Sequence, residues 1–333
     1  MRRNYNTIVT VLITGLVFIN FLLYGKIISR SMPEPDLSAK VPHETVEASA
    51  EAVETSVIIP DTLPAGYRYL TATAADTASG PLILVNAAHP FVFGNVPTAV
   101  ASEVAASVRY NKTASYAVDN IEIAMAVSAI RALNNMCDAF LTAGGSASQT
   151  VIVTEGLRTM EEQQAMVDYY VNLLGAEQTI AASPGFSEHH SGYAMDISTY
   201  NGSTKALFTG EGVYGWFYEH CPDYGYILRY PAGKEEITGI SAESWHFRYV
   251  GVPHAKYITD NGLSLEEYVE ILALHGFDDP LVMTDKNGAS YSVYSVPVAA
   301  DGEKIPVPDG VPGEKYTLSG DNNGHVIVTV KGV

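Results

Sequence analysis

The chain has 333 residues, 47% of them hydrophobic, enough apolar material for a real core in one large domain or two modest ones. Its formal net charge of −18 argues against a general nucleic-acid binder, because phosphate recognition needs clustered Lys and Arg. Its two cysteines, Cys137 and Cys221, are too few for a disulfide scaffold or a Cys-based zinc site, and the pattern leaves open whether they bridge.

At the N-terminus, Arg2 and Arg3 precede an apolar run from Thr7 to Tyr24, and Lys26 and Arg30 follow it. A run of about 18 residues can just span a bilayer as a helix, and it is longer than the apolar region of a cleaved signal. Residues 1–30 are therefore expected to be an uncleaved transmembrane anchor. The rest of the chain holds 15 basic against 37 acidic residues, a balance that suits the outside of the cell. Residues 31–65, with Pro33, Pro35, Pro42 and many Glu, read as a linker, closed by a boundary at Pro60 to Gly66.

The next segment, LILVNAAHP from Leu82 to Pro90, reads as a short buried strand. Apolar residues at helical spacing predict a helix from about Tyr116 to Thr142, stopped at Ala143-Gly144-Gly145. Val151 to Val153 reads as a strand, and Met160 to Leu174 as an amphipathic helix ended by Gly175. Tyr193 to Ile197 and Trp245 to Val250 alternate like strands. Helices and strands mix here without a regular βαβ repeat, which favours α+β over a doubly wound sheet. Leu265 to Leu274 predicts a short helix, and Tyr291 to Val298 and His325 to Val330 alternate as strands between turns. Residues 66–265 are thus expected to be the main domain, and 266–333 a small β-rich appendage.

Two segments can carry chemistry. The first runs from Ser187 to Asp196, SEHHSGYAMD, and the second is Glu243-Ser244-Trp245-His246. Catalytic zinc commonly takes three N/O ligands and keeps one position open, and a nearby carboxylate must move the water's proton. Gly192 would let the chain turn, so that His189 returns toward Asp196. His246 and Arg248 share one strand face, and Glu243 stands just before it. His189, Asp196 and His246 are the candidate ligands and Glu243 the candidate base. His190 is expected to point away by strand alternation, and Arg248 to serve in an ion pair.

These segments match SxHxxGxAxD and ExWHxR, and so resemble the signature of D-alanyl-D-alanine carboxypeptidases of the VanY and DacB type, zinc peptidases of the M15 kind. Upstream, Thr154-Glu155-Gly156-Leu157-Arg158-Thr159 followed by Gln163 resembles that family's SGYRSxxxQ segment. The runs from Tyr224 to Pro231 and Gly233 to Ile240 resemble the stretch before ExWH. The likeness covers roughly residues 80 to 265.

The resemblance implies a small mixed or antiparallel sheet with flanking helices, hedgehog- and DD-peptidase-like. It implies one Zn²⁺ on His189, Asp196 and His246, with Glu243 as general base. Arg158 falls on the arginine that contacts substrate and steadies the oxyanion, and Gln163 and Ser187 on polar positions lining the substrate site. Glu155, Leu157 and Thr159 depart from the family pattern, and those departures touch substrate contacts. The implied activity removes the terminal D-Ala from peptidoglycan stem peptides. Cleavage of an L,D bond, dipeptidase or endopeptidase action, and a catalytically silent wall-binding protein are the alternatives.

Overall fold

The computed structural model describes residues 60 and 62–332, apart from 95–97, 101–114, 121, 146–149 and 201–203. All of these lie in one unit, Ser56–Val333. The expected anchor at 1–30 and most of the expected linker lie outside the described residues. Among the described residues no helix is long and apolar enough to cross a membrane.

The strands are, in chain order, β1 (Tyr67–Ala72), β2 (Thr98–Val100), β3 (Tyr116–Val118), β4 (Ala124–Ala126), β5 (Thr150–Glu155), β6 (Ala194–Tyr200) and β7 (Lys205–Leu207). They continue with β8 (Tyr226–Tyr230), β9 (Glu243–Tyr249), β10 (Leu281–Thr284), β11 (Ser290–Pro297), β12 (Glu303–Pro308), β13 (Tyr316–Gly320) and β14 (His325–Lys331). The helices are α1 (Val127–Thr142), α2 (Met160–Leu174), α3 (Gly215–His220), α4 (Glu235–Thr238), α5 (Val252–Asp260) and α6 (Leu265–Ala273).

The central sheet runs β3-β5-β6-β9-β8, with β7 paired to β6. Only β3 and β5 are parallel, and the other pairs are antiparallel, so the fold is α+β with a mixed sheet. Registers of β5, β6 and β9 set Glu155 opposite Asp196 and Asp196 opposite His246. Three ionisable side chains thus stand in one row across neighbouring strands, although 41 and 50 positions separate them in the chain. An irregularity between Val153 and Glu155 re-aims the end of β5 beside this row.

The C-terminal sheet runs β10-β11-β14-β13, antiparallel throughout. Side chains alternate faces along a strand, and both of its faces are buried. Tyr291, Val293 and Ile327 join Leu265, Tyr268, Val269 and Leu272 of α6, Ala255 and Ile258 of α5, Ile227 of β8 and Leu82 and Leu84 in one core. On the other face Tyr294, Val296, Val326, Val328 and Val330 pack with Ala72, Ile305 and Val307 of the β1–β12 ribbon.

Two expected elements take a different form. Leu82 to Val85 is buried, as a strand would be, but forms no ladder. Its backbone is satisfied instead by side chains and one loop: Leu82 N–H donates to Ser319 Oγ, Leu84 N–H to the Asp321 carbonyl, and Arg248 and Asn322 donate to the Ile83 and Leu84 carbonyls. The predicted helix from Tyr116 begins only at Val127, because β3 and β4 take the first part into sheet pairings with β5 and β2. Tertiary pairing overrides the local helical spacing there. Cys137 and Cys221 are buried and not bridged to each other.

Candidate metal centre

Local chemistry builds the site in two loops and two strands. Ser187 caps a short 3-10 turn over Glu188–Ser191, its hydroxyl accepting from His189 N–H. The turn ends at Gly192, whose φ of 71° is left-handed and whose Cβ would lie 3.2 Å from Ala126 N. This reversal carries the chain from His189 into β6 and brings His189 back over Asp196. The predicted role of Gly192 is therefore the observed one.

The loop carrying Arg158 is stitched down at both sides. Leu157 N–H donates to the Ala124 carbonyl at 2.7 Å and Arg158 N–H to the His189 carbonyl at 3.1 Å. A Cβ on Gly156 would lie 2.3 Å from the Ala124 oxygen, so no side chain fits. Thr159 and Glu162 then form a capping box that starts α2 and places Gln163 one turn on.

His189, Asp196 and His246 offer ligand atoms that all lie within 4.8 Å of one another. His189 Nε2 is 3.4 Å from Asp196 Oδ2, and His246 Nδ1 is 3.0 Å from Asp196 Oδ1. His189 turns its Nδ1 to the Gly156 carbonyl at 2.7 Å, which only an N–H can satisfy, so Nε2 keeps its lone pair toward Asp196. Asp196 Oδ1 is buried without a hydrogen-bond partner. Two imidazole nitrogens and a carboxylate, one oxygen of it unsatisfied, fit a zinc ion with an open position.

Glu243, the first residue of β9, is buried with Oε2 3.5 Å from His246 Nδ1. Arg158 is buried too, its Nη2 3.9 Å from Asp196 Oδ2 and 3.6 Å from Glu155 Oε2. Gln163 Oε1 accepts from Arg158 Nη1 at 2.8 Å, while its amide donates to the Ala182 carbonyl at 2.7 Å. Its polar atoms therefore hold the arginine in place. All seven predicted site residues thus gather in one region, with Ser187 and Gln163 acting on their neighbours through hydrogen bonds.

His190 lies outside this set, though for another reason than strand alternation. It belongs to the 3-10 turn, and its two ring nitrogens meet the Arg158 carbonyl at 2.7 Å and Gly185 N–H at 3.0 Å. Arg248 pairs with Glu188 at 2.6 Å, the expected ion pair.

Glu188 was given no role by sequence spacing, although it adjoins His189. It lies fully buried behind His246, with Oε2 3.6 Å from Nε2. Tyr170 of α2 was read only as part of a helix, yet burial, with the Glu243 and Asp196 charges adding to it, pushes its hydroxyl well above the usual phenol range.

The protein's own groups tune these side chains in opposite directions. Burial, with the Arg158 charge, pushes His189 down to about 4, so its ring is neutral near pH 7. Burial acts the same way on His246, but the facing Asp196 and Glu188 carboxylates outweigh it and raise the group to about 9. Burial pushes the Glu243 carboxyl up to about 8, the Asp196 charge adding to it and His246 opposing. Burial opposes ionisation of Asp196 as well, yet His189 and His246 hold it below the usual carboxylate range.

The profile of the family described as VanY, D-alanyl-D-alanine carboxypeptidase, matches residues 122–252, which contain every one of these groups. The chain is 31% identical over 261 residues to a D-alanyl-D-alanine carboxypeptidase of Enterococcus faecium, covering 78% of each protein. It is 41% identical over 127 residues to a bifunctional D-Ala-D-Ala dipeptidase and carboxypeptidase of Enterococcus gallinarum, spanning 36% of this chain and 67% of that one. Among solved structures, the vancomycin-resistance D,D-dipeptidase VanXYg bound to a D-Ala-D-Ala phosphinate analogue superposes with a TM-score of 0.68 at 30% identity. That likeness covers 80% of this chain and 99% of the other.

Proposed function

The chain belongs to the VanY family of D-alanyl-D-alanine carboxypeptidases, and on that premise we propose that it removes the terminal D-Ala from peptidoglycan stem peptides. It is a zinc metallopeptidase. The observation that carries the assignment is the convergence of His189, Asp196 and His246 ligand atoms within 4.8 Å, with the Glu243 carboxyl 3.5 Å from one of them.

In this reading His189, Asp196 and His246 hold one Zn²⁺ per chain, and bound zinc would polarise the scissile carbonyl and acidify a water. Glu243 takes the attacking water's proton and returns it to the departing D-Ala amine. Its burial favours this work, since a carboxyl with a raised pKa is a stronger base once ionised. Arg158, with Nη2 3.9 Å from Asp196 Oδ2, stabilises the negative oxygen of the tetrahedral intermediate, a role suited to its fixed cationic fork. Gln163 and Ser187 complete the polar wall of the substrate site, Gln163 by fixing Arg158. The reaction needs no acyl-enzyme, because no Ser or Cys nucleophile motif is present in the sequence.

Such a substrate lies outside the cytoplasm. The apolar run from Thr7 to Tyr24 supports a membrane tether at 1–30, the acidic 31–65 segment a spacer, 66–265 the catalytic part and 266–333 a β-rich extension. A panel of pentapeptide, tetrapeptide and free D-Ala-D-Ala, with products read by mass, tests the substrate. Release of D-Ala from pentapeptide, lost in EDTA and restored by zinc, is the expected result. Full activity after exhaustive chelation would sink the metal assignment. A D,D-dipeptidase activity is the second reading, favoured by the likeness to VanXYg along 80% of the chain. Cleavage of free D-Ala-D-Ala in the same panel would support it.

A further inference from the structure

Behind the metal face lies a second cluster of charge that the reaction does not consume. The side chains of Glu188, Arg229 and Arg248 are completely buried, and that of Glu266 is 10% exposed. Arg229 Nε and Arg248 Nη1 both donate to Glu188 Oε1, at 2.8 and 2.6 Å. Arg229 turns its fork to Glu266, with bonds of 2.9 and 2.6 Å. Arg248 Nη2 donates to the carbonyls of Pro81 and Ile83 at 3.0 and 2.8 Å, and Asn86 donates to Glu266 at 3.2 Å. Two cations face two carboxylates, so the cluster is neutral.

One acceptor is left over. Glu188 Oε2 has no hydrogen-bond partner among the described residues, and it faces His246 Nε2 at 3.6 Å, which has none either. A cluster that served only to hold the fold together would turn both carboxylate oxygens to the guanidinium forks, the stronger bidentate arrangement. Here both arginines crowd one oxygen, and the other is reserved for the back of a metal ligand.

Resting on the metal assignment above, we infer that Glu188 is a positioning residue for His246. Its Oε2 accepts from the ring's Nε2–H, which keeps its proton. The lone pair is thereby kept on Nδ1, the nitrogen that faces Asp196 and Glu243 at 3.0 and 3.5 Å. A few tenths of an ångström of ring movement closes the 3.6 Å gap to a hydrogen bond. The arginines and Glu266 hold the carboxylate still, so the segment at 81–86 and helix α6, both outside the matched residues 122–252, reach the metal centre through it.

The test compares Glu188→Gln with Glu266→Gln in the full chain, reading zinc affinity by competition with a chelator and the unfolding midpoint of the metal-free protein. Both substitutions disturb the buried cluster and lower the midpoint. Only Glu188→Gln puts an amide N–H where Nε2 needs an acceptor, and it weakens zinc binding by roughly 10- to 100-fold, while Glu266→Gln, which leaves that acceptor in place, weakens it far less. Unaltered zinc affinity in Glu188→Gln, or equal losses in both variants, overturns the inference. Should Glu188→Gln not fold, long-range nitrogen–proton spectra of the zinc-loaded wild-type protein decide: the inference requires His246 protonated at Nε2 and bound through Nδ1, and the reverse overturns it. A wild-type chain that binds no zinc would overturn the metal assignment and this inference together.

Discussion

Glu243 is buried at the start of β9 within reach of His246 Nδ1, so its chemistry can be separated from metal binding. Glu243→Gln keeps the shape but cannot take a proton. It is expected to lower kcat about 10²- to 10⁴-fold while zinc content, measured by atomic absorption, stays at the wild-type level. His246 gives a pH signature of the opposite kind. The folded metal-free protein raises it from 6.5 to about 9, so below that value a metal must displace a proton. Zinc affinity should therefore rise with pH up to about 9 and then flatten, with protons released on binding below that value, as calorimetry in buffers of different ionisation enthalpy would show. The same shift means the metal-free fold holds the proton more tightly than the unfolded chain. This contribution to stability is complete below 6.5 and is lost as pH rises through about 9. Glu155 departs from the family pattern, and its carboxylate lies 3.6 Å from Arg158 at a partly exposed position. Glu155→Ser should free that guanidinium for substrate anions and lower KM for D-Ala-ended peptides about two- to fivefold, in line with a surface ion pair. A KM that rises instead would mean Glu155 itself holds substrate.

At the scale of elements, the 3-10 turn at Glu188–Ser191 depends on Gly192. Gly192→Ala places a Cβ in the left-handed region and 3.2 Å from Ala126 N, so a loss of about 1–2 kcal/mol is expected. Zinc affinity should fall with it, because the turn aims His189. Denaturant unfolding with a parallel zinc titration measures both. The reversal at Gly192 was legible in the sequence, but the 3-10 turn before it was not, since His190 was placed by strand alternation. Helix α2 was legible from Met160 to Leu174, its cap and its final glycine being local signals. Leu82 to Val85 was not, because an apolar run shows burial but not whether a neighbouring strand exists to pair with it. The start of α1 was misjudged for a related reason: β3 and β4 are drawn into sheets by partners that local periodicity does not name. The place of Glu188 was hidden altogether. Its partners Arg229 and Arg248 lie 41 and 60 positions away, and no spacing rule brings them together.

Across the whole molecule, the core ignores the division expected near residue 265. Leu82, Ile227, Val250 and Ile258 share one apolar cluster with Leu265, Tyr268, Val293 and Ile327. The ribbon β1–β12 joins the segment just after the linker to the far end of the chain. A protein cut to residues 66–265 would expose this surface and lose Glu266 from the buried charge cluster. It should aggregate or unfold without cooperativity, as near-UV circular dichroism and light scattering would reveal, whereas removing residues 1–55 should leave a cooperative transition. A truncated 66–265 chain with native zinc affinity would show that the two parts stand independently.

The pairing of β6 with β9 also bears on how the protein is made. Asp196 meets His246 in one register only, and a slip of one residue would set Trp245 or Phe247 opposite Asp196 and turn the whole face over. The centre is therefore a proofreader of its own assembly. On the proposed ligand set, a molecule that retains zinc has already aligned strands whose key residues lie 50 positions apart, so metal content would count the correctly threaded fraction of a preparation.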